Sequence, residues 1–200
     1  MSISFEQSKT KENLMRAFAG ESQARNRYTL AADTARAQKL YAVEAVFRFT
    51  AGQELAHAEV FYGQLSPVSG ENIAVDGRYP VDIDASVEKL LRSAHHNEME
   101  EYSDAYPAFG DIAKQEGFAD IAQLFYSIAE IEKSHADRFL HLADALRDGR
   151  LFVNDCECEW MCLNCGNIIK TREAPPICPV CRHERGYFIR LELAPYSKIC

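Results

Sequence analysis

The sequence has no surplus of basic residues, no apolar run long enough to cross a membrane and, through Leu151, no cysteine. Each absence removes a class of function. A net charge of -8, from 22 Lys and Arg against 30 Asp and Glu, argues against nucleic acid as a partner, because phosphate binding calls for clustered cations. Without a stretch of about 20 apolar residues, no membrane span is predicted. Met1 to Thr10 is polar and lacks a basic stretch followed by an apolar one, so no secretory signal is expected. The expected location is cytoplasmic, where clustered cysteines read as metal ligands rather than disulfides. All seven cysteines lie after Leu151, a skew that predicts a domain boundary.

From about Lys11 to Arg147 the chain is rich in Ala, Glu, Leu, Gln and Arg and poor in proline, which favours helix. Four helical segments are predicted, over about 11–37, 40–65, 84–114 and 119–147. Thr10 is the expected N-cap of the first, and Asp82 or Asp84 of the third. The first pair turns near Gln38–Lys39 with little local signal. The second turns at Glu116–Gly117, where glycine suits a helix end. Ser66–Val81, with Pro67, Gly70, Gly77 and Pro80, is too long for a tight turn and is expected to cross the bundle from end to end. Pro107 should kink the third helix or end it early. After Asp148–Gly149, strand-prone pieces (Leu151–Val153, Tyr187–Leu193) appear together with Pro175, Pro176 and Pro179. The expected division is a mainly α four-helix bundle over 1–148 and a small β-rich domain over 149–200.

Two of the helices repeat one pattern. Phe47-x6-Glu54-x-x-His57-Ala58-Glu59-x-Phe61 matches Phe125-x6-Glu132-x-x-His135-Ala136-Asp137-x-Phe139, and Ala51 corresponds to Ala129. Twofold internal symmetry is the economical reading. Glu and His at this spacing share one helix face, and the flanking phenylalanines mark that face as the core. Carboxylates buried there are costly unless a cation neutralises them. The partner helices offer more at matching heights. Glu21 lies 17 residues before Gln38 and Glu54 lies 16 after it, each about 25 Å up its helix at the usual rise. Glu98 and Glu101 lie 18 and 15 residues before Glu116 and straddle Glu132, 16 after it. A Glu from each of two helices plus Glu-x-x-His from each of the other two is the dinuclear set of ferritin-like bundles, and these ligands suit iron or manganese.

A single Glu-x-x-His pair would read as a solvated ion pair or a core histidine. Two copies facing two more carboxylates read as a metal site. Glu101 exceeds the basic set, and its plain reading is an exposed acid, like Glu100. Tyr28, seven residues after Glu21, and Tyr106, eight after Glu98, either donate to a ligand carboxylate or simply fill the core.

Cys162-x-x-Cys165-Gly166, then 11 residues, then Cys178-Pro179-x-Cys181, is the signature of a tetrahedral four-sulfur site. It admits zinc as a staple or iron as a one-electron carrier, and on spacing alone zinc is the commoner occupant. Trp160, Tyr187 and Phe188 offer a small aromatic core. Cys156, Cys158 and Cys200 fall outside the two knuckles and read as free thiols.

The chain resembles the rubrerythrin family over nearly its whole length and in the same domain order. The marks are Ala17 to Tyr28 (AFAGESQARNRY), the two Glu-x-x-His helices, Glu98-x-x-Glu101, Tyr106-Pro107, and Trp160-x-Cys162-x-x-Cys165-Gly166 with Cys178-Pro179-x-Cys181. The resemblance implies a non-haem di-iron centre in the bundle and a rubredoxin-type iron held by four cysteines. It implies a peroxidase that reduces hydrogen peroxide to water under oxidative stress. By position, Glu54 and Glu132 would bridge the irons, with Glu21 terminal on one and Glu98 with His135 on the other. Glu101 would exchange with His57 when the iron is reduced, and Tyr28 and Tyr106 match the family's ligand-supporting tyrosines. A homodimer arranged head to tail is implied as well, with a rubredoxin or an NAD(P)H-linked reductase as electron donor. One departure stands: rubredoxins commonly place an aromatic soon after the first knuckle, where Asn167-Ile168-Ile169 follows here. Two rivals use the same residues, an iron-oxidising or oxygen-reducing protein and an iron-storage protein with a structural zinc ribbon.

Overall fold

The structure, a computed structural model, describes residues 3–194. Helices α1 (Lys9–Ala37), α2 (Tyr41–Gly63), α3 (Val87–Glu100), α4 (Tyr106–Glu116) and α5 (Ala119–Arg147) form two hairpins, α1 with α2 and α3–α4 with α5. The hairpins face each other as a four-helix bundle, with α3 and α4 acting as one broken helix.

Several helix ends differ from the expected ones. Ser8, in extended conformation, caps α1 by accepting from the Lys11 N–H at 3.0 Å. Thr10 instead lies in the first turn, where its N–H and hydroxyl donate to the Glu116 carboxylate at 2.8 and 2.6 Å. The third helix begins at Val87 with Ser86 as its cap, not at Asp82 or Asp84. Asp84 accepts from the Ser86 N–H at 2.7 Å in an Asx-type turn, and Asp82 is taken up by Arg27 and Asn97. The turn near Gln38 had no glycine to announce it because Lys39 itself takes the left-handed conformation, φ 60. Gly117 fills that role at the second turn with φ 94, and the Phe118 N–H reaches back to the Ala113 carbonyl.

Pro107 does break the third helix. It cannot donate to the turn before it, and the chain widens into a π turn over Glu101–Ala105, closed by the Tyr106 N–H on the Glu101 carbonyl.

The repeat phenylalanines meet in pairs. Phe47 lies 5.2 Å from Phe139 and Phe61 lies 5.1 Å from Phe125, measured between ring centroids, and all four are fully buried. Because the two repeat helices run antiparallel, the ring before one Glu-x-x-His meets the ring after the other. The ligand layer is thereby closed above and below by aromatic plugs.

After α5, β1 (Val153–Cys162) lies between β2 (Ile168–Glu173) and β3 (Phe188–Arg190), antiparallel to both. The piece Leu151–Val153 supplies only the first residue of β1, whereas Tyr187–Leu193 contains β3. Polar residues dominate β1 and β2, so the strands carry little apolar alternation. Trp160 and Phe188 are fully buried in a core with Cys162, Cys178 and Ala174, while Tyr187 turns outward to stack on Tyr41 at 4.1 Å. That stack, the Lys39–Glu184 pair at 2.8 Å and the packing of Ile189, Leu191 and Ala194 against Ala42, Leu142 and Ala143 dock the small domain on the α1–α2 turn.

Candidate metal centres

In the bundle, α1 contributes Glu21, α2 contributes Glu54 and His57, α3 contributes Glu98, and α5 contributes Glu132 and His135. None of the six is more than 7% exposed. Their atoms form two overlapping groups, Glu21, Glu54, His57 and Glu132, and Glu54, Glu98, Glu132 and His135, in each of which all ligand atoms lie within 4.8 Å of one another. Glu54 and Glu132 belong to both. His57 Nδ1 faces Glu132 Oε1 at 2.9 Å and Glu54 Oε2 at 3.2 Å, and His135 Nδ1 faces the other oxygens of the same carboxylates at 2.8 and 3.1 Å. Two carboxylates thus direct one oxygen toward each imidazole, with Glu21 at one end and Glu98 at the other.

The electrostatics demand cations. Burial, then the charges of Glu132 and Glu54, hold Glu21 well above the usual carboxylate range, and burial with the charge of Glu54 pushes Glu98 up to about 8. Burial opposes a charge on the imidazoles, but the facing carboxylates outweigh it and raise His57 to about 9 and His135 to about 12. Burial would likewise raise Glu54, yet the two imidazoles bring it down to about 2. Glu21 Oε2, both oxygens of Glu54 and Glu132, Glu98 Oε2 and His57 Nδ1 are buried without a hydrogen-bond partner. Such orphaned donors and acceptors are what bound metal would satisfy. With neutral imidazoles, the four carboxylates of the two groups taken together match two divalent ions in charge, and the residues fit a di-iron centre. Tyr28 and Tyr106 are both core and support: each ring is buried, Tyr28 donates to Glu98 Oε1 and Tyr106 donates to Glu21 Oε1.

In the small domain the four sulfurs of Cys162, Cys165, Cys178 and Cys181 lie within 4.8 Å of one another. Two pairs cross between knuckles, Cys162 with Cys181 and Cys165 with Cys178, each at 3.7 Å. Gly166, φ 76, permits the first knuckle, and Arg182 takes the equivalent left-handed position, φ 67, in the second. Cys162 and Cys178 are buried, whereas Cys165 is exposed and Cys181 half-buried, so one edge of the site faces outward. Burial pushes the Cys162 thiol up to about 12, while the His183 backbone N–H leads the effects that bring Cys181 down to about 6.

The sequence matches two family models, "Rubrerythrin" over residues 12–143 and "Rubrerythrin, rubredoxin-like domain" over 160–189. A rubrerythrin of Porphyromonas gingivalis is 41% identical over 188 residues, covering 94% of this chain and 92% of its own. The chain belongs to the rubrerythrin family. A mixed-valence nigerythrin structure superposes with a TM-score of 0.61 at 30% identity, covering 95% of this chain and 88% of its own. A Desulfovibrio desulfuricans bacterioferritin, at 23% identity, TM-score 0.64 and coverage of 71% and 82%, shares the helical fold. The bundle is therefore ferritin-like with a carboxylate–histidine site for two irons, and the small domain is rubredoxin-like.

Glu101 is the rubrerythrin motif residue that stands outside both ligand groups. It is half-buried in the π turn, and burial with the charge of Glu98 holds it well above the usual carboxylate range. Asn167, at the departure from the rubredoxin pattern, places its side-chain amide 3.9 Å from Cys178 Sγ. Cys156 is exposed and Cys158 half-buried on β1; Cys200 lies outside the described residues. Sequence reasoning missed Arg138, one turn beyond His135, which faces Thr50 and Gln53 and carries positive charge toward Glu98 and Glu54. Its only signal was a cation on the ligand face of a helix.

Proposed function

We infer that this protein is a peroxidase that reduces hydrogen peroxide to water, with residues 1–148 carrying the reaction and 149–200 relaying electrons. The observation that carries the reading is the paired aim of Glu54 and Glu132, one oxygen toward each imidazole, in a chain that also holds a four-cysteine site. When bound, the two irons supply electrons and polarise the oxygen that leaves.

The protein's own groups orient and insulate. Glu54 and Glu132 would bridge, Glu21 and Glu98 would each close one end, and Tyr106 and Tyr28 fix those two carboxylates by donating to them. The phenylalanine pairs keep water from the layer. His57 occupies the first ligand group and Glu101 stands aside from it, an arrangement that supports Glu101 as the exchanging ligand. Protons needed for water formation reach the layer from the half-buried Glu101 side.

The small domain touches the bundle at the α1–α2 turn, roughly 20 Å along α2 from Glu54 at the usual rise per residue. That distance favours a head-to-tail homodimer in which one copy's four-cysteine iron serves its partner's bundle site. A rubredoxin or an NAD(P)H-linked reductase would deliver electrons to the outward edge at Cys165 and Cys181.

Rapid mixing of the anaerobically reduced protein with hydrogen peroxide or with O2 tests this reading. Oxidation by peroxide much faster than by O2 supports it, and the reverse preference would favour the oxygen-reducing rival. Cys162→Ser should abolish donor-driven turnover yet spare one peroxide oxidation of pre-reduced protein; loss of both would refute the division of labour. A colourless protein with zinc alone at the cysteines would sink the relay.

A further inference from the structure

Asp76 and Asp82 help pin the segment between α2 and α3 to the bundle. Asp76 Oδ1 accepts from Arg16 at 2.8 and 3.2 Å, and Asp82 accepts from Arg27 at 2.6 Å and Asn97 at 2.8 Å. Between these pins Tyr79 lies along α1, its hydroxyl 3.4 Å from the Arg16 carbonyl. Gly77 allows the chain to fold the ring inward, since a Cβ there would fall 2.8 Å from the ring.

Beneath Tyr79 is Gly20, a glycine in the middle of α1. A Cβ built on Gly20 would lie 3.9 Å from Tyr79 Cε1 and 4.0 Å from Glu101 Oε1. The tyrosine ring, the bare stretch of α1 and the Glu101 carboxylate therefore converge on one place. They line a cavity of about 220 Å³ that is also walled by Asn97, Tyr106 and Phe109. Tyr106 in that wall donates to Glu21, so the cavity reaches from solvent to the edge of the buried ligand layer. The phenylalanine pairs cover the layer above and below.

We propose that this cavity is the route by which a peroxide reaches the bundle site, and that the Tyr79 ring restricts it to small hydroperoxides. The substrate named here rests on the peroxidase reading; the route does not. Hydrogen peroxide is little larger than water and passes beside the ring. An organic hydroperoxide must bring its apolar tail through the space between Tyr79 and Gly20. Tyr79 is 41% exposed, so its outer face meets solvent and its removal opens the cavity without unpacking the core.

The test uses the iron-loaded full chain and two readouts. One is the ratio of kcat/KM for cumene hydroperoxide to that for hydrogen peroxide. The other is the rate at which a bulky sulfonated ferrous chelator strips iron from the reduced bundle site. Tyr79→Ala should raise both by about tenfold, within the range that steric pockets discriminate. Tyr79→Phe should restore the wild-type values, because the ring and not the hydroxyl is the barrier. Val81→Ala, on the same segment but 83% exposed and outside the cavity, should match wild type and controls for loosening of the segment. Gly20→Leu fills the same space from the α1 side and should slow chelation about tenfold. Chelation in Tyr79→Ala or Gly20→Leu at the wild-type rate would overturn the proposal. If wild type fails to turn over hydrogen peroxide at all, the peroxidase reading falls and the chelation rates alone decide the route.

Discussion

Glu54 and Glu132 are shared by both ligand groups, so each side chain should matter to both irons. Glu54→Ala is expected to empty the bundle while the four-cysteine iron stays, and elemental analysis with the visible spectrum separates the two; full iron content would count against a shared role. Tyr106→Phe removes the donor that holds Glu21 and should weaken iron binding by roughly 10- to 100-fold, read by competition with a chelator. Gly20 has room for a methyl group at ordinary contact distances, so Gly20→Ala should stabilise α1 by about 0.5–1 kcal/mol in a denaturant titration. At this scale the sequence was most informative where a residue answers to its own helix. Glu-x-x-His puts its ligands on one face whatever surrounds it, and the repeat doubled the signal. Lys39 and Arg182 were opaque for the opposite reason, since non-glycine residues enter the left-handed region only when distant contacts hold them there.

The broken third helix is the element whose irregularity bears most directly on the site. The π turn adds one residue to the ring of hydrogen bonds, which rotates all that follows by about 100° relative to a regular helix. Glu98 lies before it, Glu101 opens it and Tyr106 follows it, so the turn sets the relation among all three. Inserting one alanine between Ala105 and Tyr106 should turn Tyr106 by about 100° relative to Glu98 and swing it off Glu21. Helical circular dichroism would persist while iron binding falls; iron retained at the wild-type level would show that the turn does not position the site. Pro107 announced a break but not its kind, because whether a helix kinks, ends or widens at proline is settled by what its neighbours can pack against. The helix caps were misplaced by two to four residues for a related reason: Thr10 and Asp82 are polar residues of the right kind, claimed by partners on other helices.

For the whole molecule, the ion-free bundle should respond to pH with a definite sign. His57 and His135 have folded-state pKa values of about 9 and 12 against an ordinary 6.5, and Glu98 is at about 8 against 4.5. Groups whose pKa is raised on folding stabilise most below their unfolded values and lose that contribution as pH climbs through the folded ones. Thermal melts of metal-free protein should therefore fall from about pH 5 upward through pH 9 and on toward about pH 12, and iron should flatten the profile by replacing protons as the positive charge. A second whole-molecule contact is testable at Gly186, where a Cβ would fall 1.8 Å from the Lys39 carbonyl. Gly186→Val should release the small domain from the bundle, seen as faster proteolysis after α5, with both metal sites still filled. Neither this docking nor the covering of the ligand layer by Tyr79 could be read from the chain, because each joins segments whose own sequences carry no mark of the partner.

The internal repeat gives the bundle twin seats, but the twins are not furnished alike. Three residues after Glu98 the chain carries Glu101; three residues after Glu21 it carries Ala24, buried in the core. Only one half owns a spare carboxylate, and that carboxylate lies beside Gly20, next to the seat formed with His57. A symmetric frame with a one-sided spare would give the two irons unequal sets of ligands. Mössbauer spectra of the reduced protein should then show two unequal ferrous environments beside that of the four-cysteine iron, with Glu101→Gln altering one of the two and leaving the other as it was.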